Sequence, residues 1–324
     1  MFNMITRLCF ILGFLTLQAF AAFETTHLKH PHGITIRVGK FKTPYANPHA
    51  KTILICPGRS SFIEKNTAAA TYLAEQGFNV YVLDWTGHGA SDRLISHQQK
   101  VFINTFDEYV KDVELALAYI QKQGLTDIYL YGSSMGGNVV LRYLMQQPHT
   151  PIKGAILVAP MFGINTSPFP QPLARFIAWF KTKVGSGGSY CYGFGNFDPQ
   201  RDRFATNKNT HDEAAFNRQR EITLGHMHMV TGGPTFGWLH AAFKAVDYVR
   251  DCSKLSAIQT PLFIAEAGDE RVVDNSQNGD ITRCLPRLTH KVYQGAYHNL
   301  MCEVPSIREP LLADIAAFIQ NPPA

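Results

Sequence analysis

Charge is scarce in this chain. Only 17% of its 324 residues are charged, the formal balance is +5, and lysine and arginine nowhere gather into a dense block. Nucleic-acid binding needs such a basic footprint and is not expected, while a mildly positive balance suits loose contact with an anionic membrane surface. There is no phosphate-cradling glycine loop, dinucleotide fingerprint, internal repeat or low-complexity tract, so no cofactor is expected. Cysteine is sparse as well. Beyond Cys9 in the amino-terminal run stand Cys56, Cys191, Cys252, Cys284 and Cys302, an odd number whose pairing the sequence leaves open. A chain of this length builds its core without depending on disulfides. Cys56 closes an apolar run and reads as a small buried residue.

Apolar residues are plentiful, at 45%, which argues for a globular fold and against disorder. Residues 8–20 form an apolar run after Arg7, too short for a comfortable membrane span, and lead into the small-x-small pattern Ala19-Phe20-Ala21. Residues 1–21 are therefore read as a signal peptide, with an uncleaved anchor as the alternative. Cys9 lies inside the run and no cysteine follows the alanines, so lipoprotein processing is not expected. The protein is expected to be exported, to a periplasm or beyond the cell.

The motif richest in chemistry is Gly132-Ser133-Ser134-Met135-Gly136, directly after the apolar run Ile128-Tyr129-Leu130-Tyr131 and ahead of a helical pattern. That is the strand, sharp turn and helix setting of a Gly-x-Ser-x-Gly nucleophile elbow. The glycines lack the β-carbons that would clash where strand and helix close. A serine hydroxyl attacks only when a base takes its proton and a third group orients that base. In this architecture the order along the chain is serine, acid, histidine. The buried run Pro261-Leu262-Phe263-Ile264-Ala265 leads to Gly268-Asp269-Glu270-Arg271, and Lys291-Val292-Tyr293 leads to Gly295-Ala296-Tyr297-His298. Both turns belong at the carboxyl edge of a parallel sheet, where ligands of such sheets bind. Glu270 is favoured as the acid and Asp269 is the alternative; Asp274 instead suits a helix cap. His298 follows the last core strand and is the expected base. The oxyanion of an acyl intermediate needs two backbone amides. Met135 follows the nucleophile, and Arg59 follows the strand Thr52-Ile53-Leu54-Ile55-Cys56 and Pro57-Gly58. The Arg59 side chain is free either to meet an anionic substrate group or to lie in solvent.

These segments, with Asp84-Trp85-Thr86-Gly87-His88-Gly89-Ala90-Ser91 and Glu270-Arg271-Val272-Val273-Asp274-Asn275, resemble the α/β-hydrolases. More narrowly they resemble the lysophospholipase and monoacylglycerol lipase branch, and within it the bacterial lysophospholipase L2 group. Gly232-Gly233-Pro234-Thr235-Phe236-Gly237-Trp238 shares the likeness. The resemblance implies a mostly parallel central sheet with helices on both faces and an inserted lid. It also implies Ser134, Glu270 and His298 as catalytic residues and Arg59 and Met135 as oxyanion donors. Thr86 departs from the arginine of many relatives, which touches a local loop contact rather than the chemistry.

Along the chain, strands expected at 34–38, 79–83 and 155–158 alternate with helices expected at 66–76, 108–122, 138–146 and 307–319. The core is expected at 22–160 and 247–324, interrupted at 161–246 by the lid. An insertion of that size is usually functional. Its aromatic residues Phe176, Trp179 and Phe180, with Phe236 and Trp238, are expected to line an acyl pocket or to pack the lid onto the core. His27, His30 and His32, and His226 and His228, lack the spacing of a zinc site, so no metal is expected.

The expected protein is an exported serine esterase acting on lysophospholipids. A monoacylglycerol lipase or broad carboxylesterase is the nearest alternative. Aminopeptidase action is disfavoured because no acidic cluster for a free amine is evident. The other class is a catalytically silent lipid-binding member of the fold, which would have no need of serine, acid and histidine in order. Oligomeric state, headgroup and acyl preference are not written in the sequence.

Overall fold

The computed structural model describes residues 23–42 and 50–323; the expected signal peptide lies outside them. Among the described residues, eight strands form one sheet. They are β1 (Phe23–Lys29), β2 (Thr35–Phe41), β3 (Thr52–Cys56), β4 (Asn79–Asp84), β5 (Ile128–Ser133), β6 (Gly154–Val158), β7 (Leu262–Ala267) and β8 (Leu288–Tyr293). Their order across the sheet is β1-β2-β4-β3-β5-β6-β7-β8. β1 pairs antiparallel with β2, and β2 with β4, while every later pairing is parallel. The central runs are apolar throughout because both faces of a parallel sheet are covered.

Alternation along the strands sorts the core into two layers. Leu54 and Cys56 of β3 face α2 (Asp107–Lys122) and α3 (Met135–Gln146), whose Val110, Val113, Val140 and Leu144 pack there. Ile53 and Ile55 face α1 (Thr67–Glu75) and α9 (Pro305–Gln320), through Leu73, Leu311 and Ile315. Between β6 and β7 come α4 (Gln171–Lys183), α5 (Glu213–Gly225), α6 (Phe236–Tyr248) and the short α7 (Cys252–Leu255). A further short helix, α8 (Asn278–Thr282), precedes β8.

Three features add to what the sequence expresses. The strand expected at 34–38, read as an edge strand from its alternation, is β2 and lies inside the sheet, with β1 at the edge; β1 escapes notice because it runs mostly exposed and its sequence is polar on both sides. A helix at α6 was not expected inside the break in pattern, yet it buries Ala241, Ala242, Ala245 and Val246 in the same layer as α3. Finally, Cys252 and Cys284 are bonded to one another, joining the start of α7 to the residues after α8 across a separation of 32 residues. By chain entropy such a loop contributes about 3–4 kcal/mol.

Candidate active site

Ser134, Glu270 and His298 each follow the carboxyl end of a parallel strand, β5, β7 and β8 respectively. Ser134 has φ 52 and ψ −116, a conformation that costs a non-glycine residue about 1–3 kcal/mol and persists only where the surroundings impose it. They do so through neighbouring backbone: the Ser134 amide donates to Val158 O at 3.0 Å, and the Met161 amide donates to Ser134 O at 2.9 Å. At Gly136 a β-carbon would stand 1.9 Å from Cys56 O, so only glycine lets the elbow close against β3.

The three side chains form one hydrogen-bonded row. His298 Nε2 lies 2.9 Å from Ser134 Oγ, and His298 Nδ1 lies 2.7 Å from Glu270 Oε2. With Nδ1 protonated, the ring donates to Glu270 and accepts from the serine hydroxyl. Burial opposes the charge on Glu270. The hydrogen bond and charge of His298 and the amides of Val272 and Val273 outweigh it, holding the carboxyl below its ordinary range. Such a row can pass the serine proton to the ring while the carboxylate steadies the imidazolium. Asp269 turns elsewhere: its carboxylate meets Arg271 at 2.7 Å on the exposed side. Asp274 accepts from the Ser276 amide at 2.9 Å, just ahead of α8.

Gly58 brings the loop after β3 against the elbow; a β-carbon there would be 3.2 Å from Ser134 Cβ. Trp85 Nε1 donates to Pro57 O at 2.8 Å and the Ile63 amide donates to Asp84 Oδ1 at 2.9 Å, pinning this loop at both ends. Asp84 is itself gripped by Arg37, which also pairs with Glu64. The Met135 amide is one of the N-terminal donors that an α-helix leaves without an internal partner. The Arg59 side chain turns toward the insertion. Its Nη2 donates to Gly232 O at 2.6 Å, its Nη1 to Ser60 Oγ at 3.1 Å, and the guanidinium sits 5.1 Å from the Trp238 ring centroid. Burial draws its pKa down to about 10.

The aromatic residues expected at an acyl pocket lie in two places, Phe176, Trp179 and Phe180 together on α4 and Phe236 and Trp238 on α6. Phe236 and Trp238 are buried on α6, where Trp238 packs against Phe106. Phe176 and Trp179 are 57% and 43% exposed on α4, beside the equally exposed Phe180. Of the histidines, His30 is buried against Asp112 at 2.8 Å with the His32 ring 4.9 Å away, and His226 Nδ1 meets Ile222 O with the His228 ring 6.3 Å away. Among the described residues no cluster of His, Cys, Asp and Glu could hold a metal ion. Cys302, near His298 in sequence, is an unpromising nucleophile because burial raises its thiol to about 11.

Glu303 escaped the sequence reading. It is fully buried and accepts from the amides of Tyr297, His211 and Val304 and from His211 Nδ1, at 2.7 to 3.1 Å. It thereby ties the insertion to the loop bearing His298. Its partner lies 92 residues away, and nothing local in the sequence announces the contact.

Residues 47–305 match the family described as serine aminopeptidase, S33. The chain belongs to that family. It is a lysophospholipase-like serine hydrolase with the α/β-hydrolase fold. Lysophospholipase L2 of Escherichia coli is 30% identical over 298 residues, covering 89% of this chain and 85% of that protein. Among solved structures, a soluble variant of monoglyceride lipase from Saccharomyces cerevisiae superposes with a TM-score of 0.73 at 16% identity. It covers 96% of this chain and 99% of the yeast chain. The monoacylglycerol lipase of Paleococcus ferrophilus gives 0.67 at 19% identity, covering 88% and 98%. At such identities the structural likeness speaks for the fold alone.

Proposed function

We propose that this protein is an exported lysophospholipase that cleaves the acyl ester through Ser134, His298 and Glu270. The observation that carries the reading is the hydrogen-bonded row of those side chains, in a chain 30% identical to a bacterial lysophospholipase. Ser134 Oγ attacks the ester carbonyl as His298 Nε2 takes its proton. Glu270 holds the ring in the tautomer that can accept and stabilises the imidazolium formed. The carbonyl oxygen, now negative, is held by the amides of Arg59 and Met135, an interaction that elsewhere contributes about 3–4 kcal/mol per donor. The tetrahedral intermediate collapses, His298 gives its proton to the leaving glycerol oxygen, and the acyl group stays on Ser134. Water then attacks this ester with His298 as base, releasing fatty acid and restoring the hydroxyl. The insertion at 161–246 acts as the lid.

The test is fatty-acid release from lysophosphatidylcholine and from monoacylglycerol, with Ser134→Ala as control. Release from the lysophospholipid, lost in the variant, is expected. Turnover of the glyceride alone would move the activity to the lipase alternative, and failure of Ser134 to react with a fluorophosphonate in folded protein would leave only the binding role.

Export is supported by the Cys252–Cys284 bond, which suits an oxidising compartment. Membrane contact is supported by α4, where Leu173, Phe176, Phe180 and Val184 are exposed along one side, with Lys181 and Lys183 close by. Among the described residues no helix is long and apolar enough to cross a membrane. Fractionated cells should hold the chain outside the cytosol, and the purified protein should sediment with anionic vesicles less well once Phe176 and Phe180 become serine. Cytosolic retention, or binding indifferent to those changes, would count against the respective claim.

A further inference from the structure

The loop after β3 runs from Ser134 into a cavity of 260 Å³ that the mechanism above leaves unused. Ser60 and Lys65 form its core side; Phe197, Asp202 and residues 230–233 form the side contributed by the insertion. The volume falls below the roughly 300–1,000 Å³ of sites that engulf a whole drug-sized ligand, and suits one polar headgroup.

Its wall carries unused bonding capacity. Among the described residues, the Lys65 ammonium has neither a hydrogen-bond acceptor nor a carboxylate at ion-pair distance; its nearest aromatic face is Phe62, at 5.8 Å. Burial lowers its pKa, and Asp202 across the cavity offsets this in part. Among the described residues the Asp202 carboxylate has no ion-pair partner either. Thr231 is buried and its hydroxyl is unbonded. Arg59 stands behind the wall, bonded to Ser60 Oγ and Gly232 O, with its Nε buried and unpaired. A cation and an acid, both half-buried and unpaired, thus face the same cavity as a buried idle hydroxyl, which is costly to leave unbonded. Together they are complementary to a ligand with one anionic and one cationic end.

Resting on the lysophospholipase reading, we propose that this cavity is the substrate's headgroup subsite. Lys65 and Thr231 hold the phosphate, and Asp202 with the Phe197 ring holds an amine on the headgroup, the ring by its attraction for cations. Placement agrees. Gly58 touches the elbow and Ser60 lines the cavity, and two residues of chain reach at most about 7 Å, the scale of the glycerol between ester and phosphate.

The experiment compares lysophosphatidylethanolamine, lysophosphatidylglycerol and monoacylglycerol as substrates. Lys65→Gln should raise KM for both lysophospholipids by about ten- to a hundredfold, as expected for a lost charge-assisted bond, and leave glyceride hydrolysis unchanged. Thr231→Val should do the same more weakly. Asp202→Asn should raise KM only for the amine-bearing lipid. In parallel, glycerophosphoethanolamine should competitively inhibit p-nitrophenyl butyrate hydrolysis by the parent protein, and Lys65→Gln should relieve it. Equal loss on glyceride and lysophospholipid, or an unchanged KM, overturns the subsite. A parent protein that turns over neutral esters but no lysophospholipid overturns the lysophospholipase reading instead. In that case the subsite stands if glycerophosphoethanolamine still inhibits and falls if it does not.

Discussion

Glu270→Gln is expected to lower kcat by about 10⁴-fold, the scale of the corresponding Asp→Asn change in a serine protease, while Asp269→Asn leaves it unchanged. The difference follows from what each carboxylate touches. Glu270 accepts the Nδ1 proton of His298 at 2.7 Å, and its other oxygen is held by two amides, so the side chain has one orientation. An amide in its place presents an N–H toward Nδ1 and favours the tautomer protonated at Nε2. That ring cannot take the serine proton. The fold should survive, because the substitution keeps the shape and one oxygen to accept from the Val272 and Val273 amides. The Asp269 carboxylate meets Arg271 at the surface, and exposed pairs of that kind contribute little. Ser134→Ala should cost more than either, about 10⁶-fold. Rates on a p-nitrophenyl ester, with circular dichroism to check folding, decide the matter. A larger loss from Asp269→Asn than from Glu270→Gln would assign the acid to the neighbour.

Much of this site was legible because the signals are local. The elbow is a strand run followed by small residues, and β3, β5 and β7 are apolar runs of the length that a doubly covered sheet requires. Glu270 and His298 were found by counting forward from strand ends, which needs only topology. The residues that escaped act across the fold. Arg37 and Asp84 lie 47 residues apart and join only when β2 and β4 pair. Trp238 and Phe236 read as candidates for an apolar site because composition cannot distinguish an aromatic that lines a cavity from one that fills a core. Whether α4 faces substrate or solvent was equally hidden, since an apolar helix face carries no statement of what covers it. Lys65 carries no local signal in the sequence, and only the insertion folding over it reveals its missing partner.

The second large effect is expected at Glu303. Replacing it with alanine should destabilise the protein by about 3–5 kcal/mol, the range for breaking a buried charged network by removing one partner. Four donors lose their acceptor at once: the amides of Tyr297, His211 and Val304 and the His211 ring. Water cannot readily replace it at a position with no exposure. Glu303→Gln keeps one acceptor oxygen but turns an N–H toward amide donors, so it should fall between alanine and the parent. Activity should fall with stability. Tyr297 immediately precedes His298, and the Asn299 amide donates to Asn209 O at 2.8 Å. Loosening Glu303 therefore frees both the loop that carries the base and the stretch of insertion laced to it. Urea midpoints give the stability change, and kcat measured well below the transition gives the catalytic one. An unchanged midpoint would mean that the network contributes nothing net. A lowered midpoint with full kcat would mean that His298 is held by Glu270 and the sheet alone, and that the insertion can move without disturbing the base.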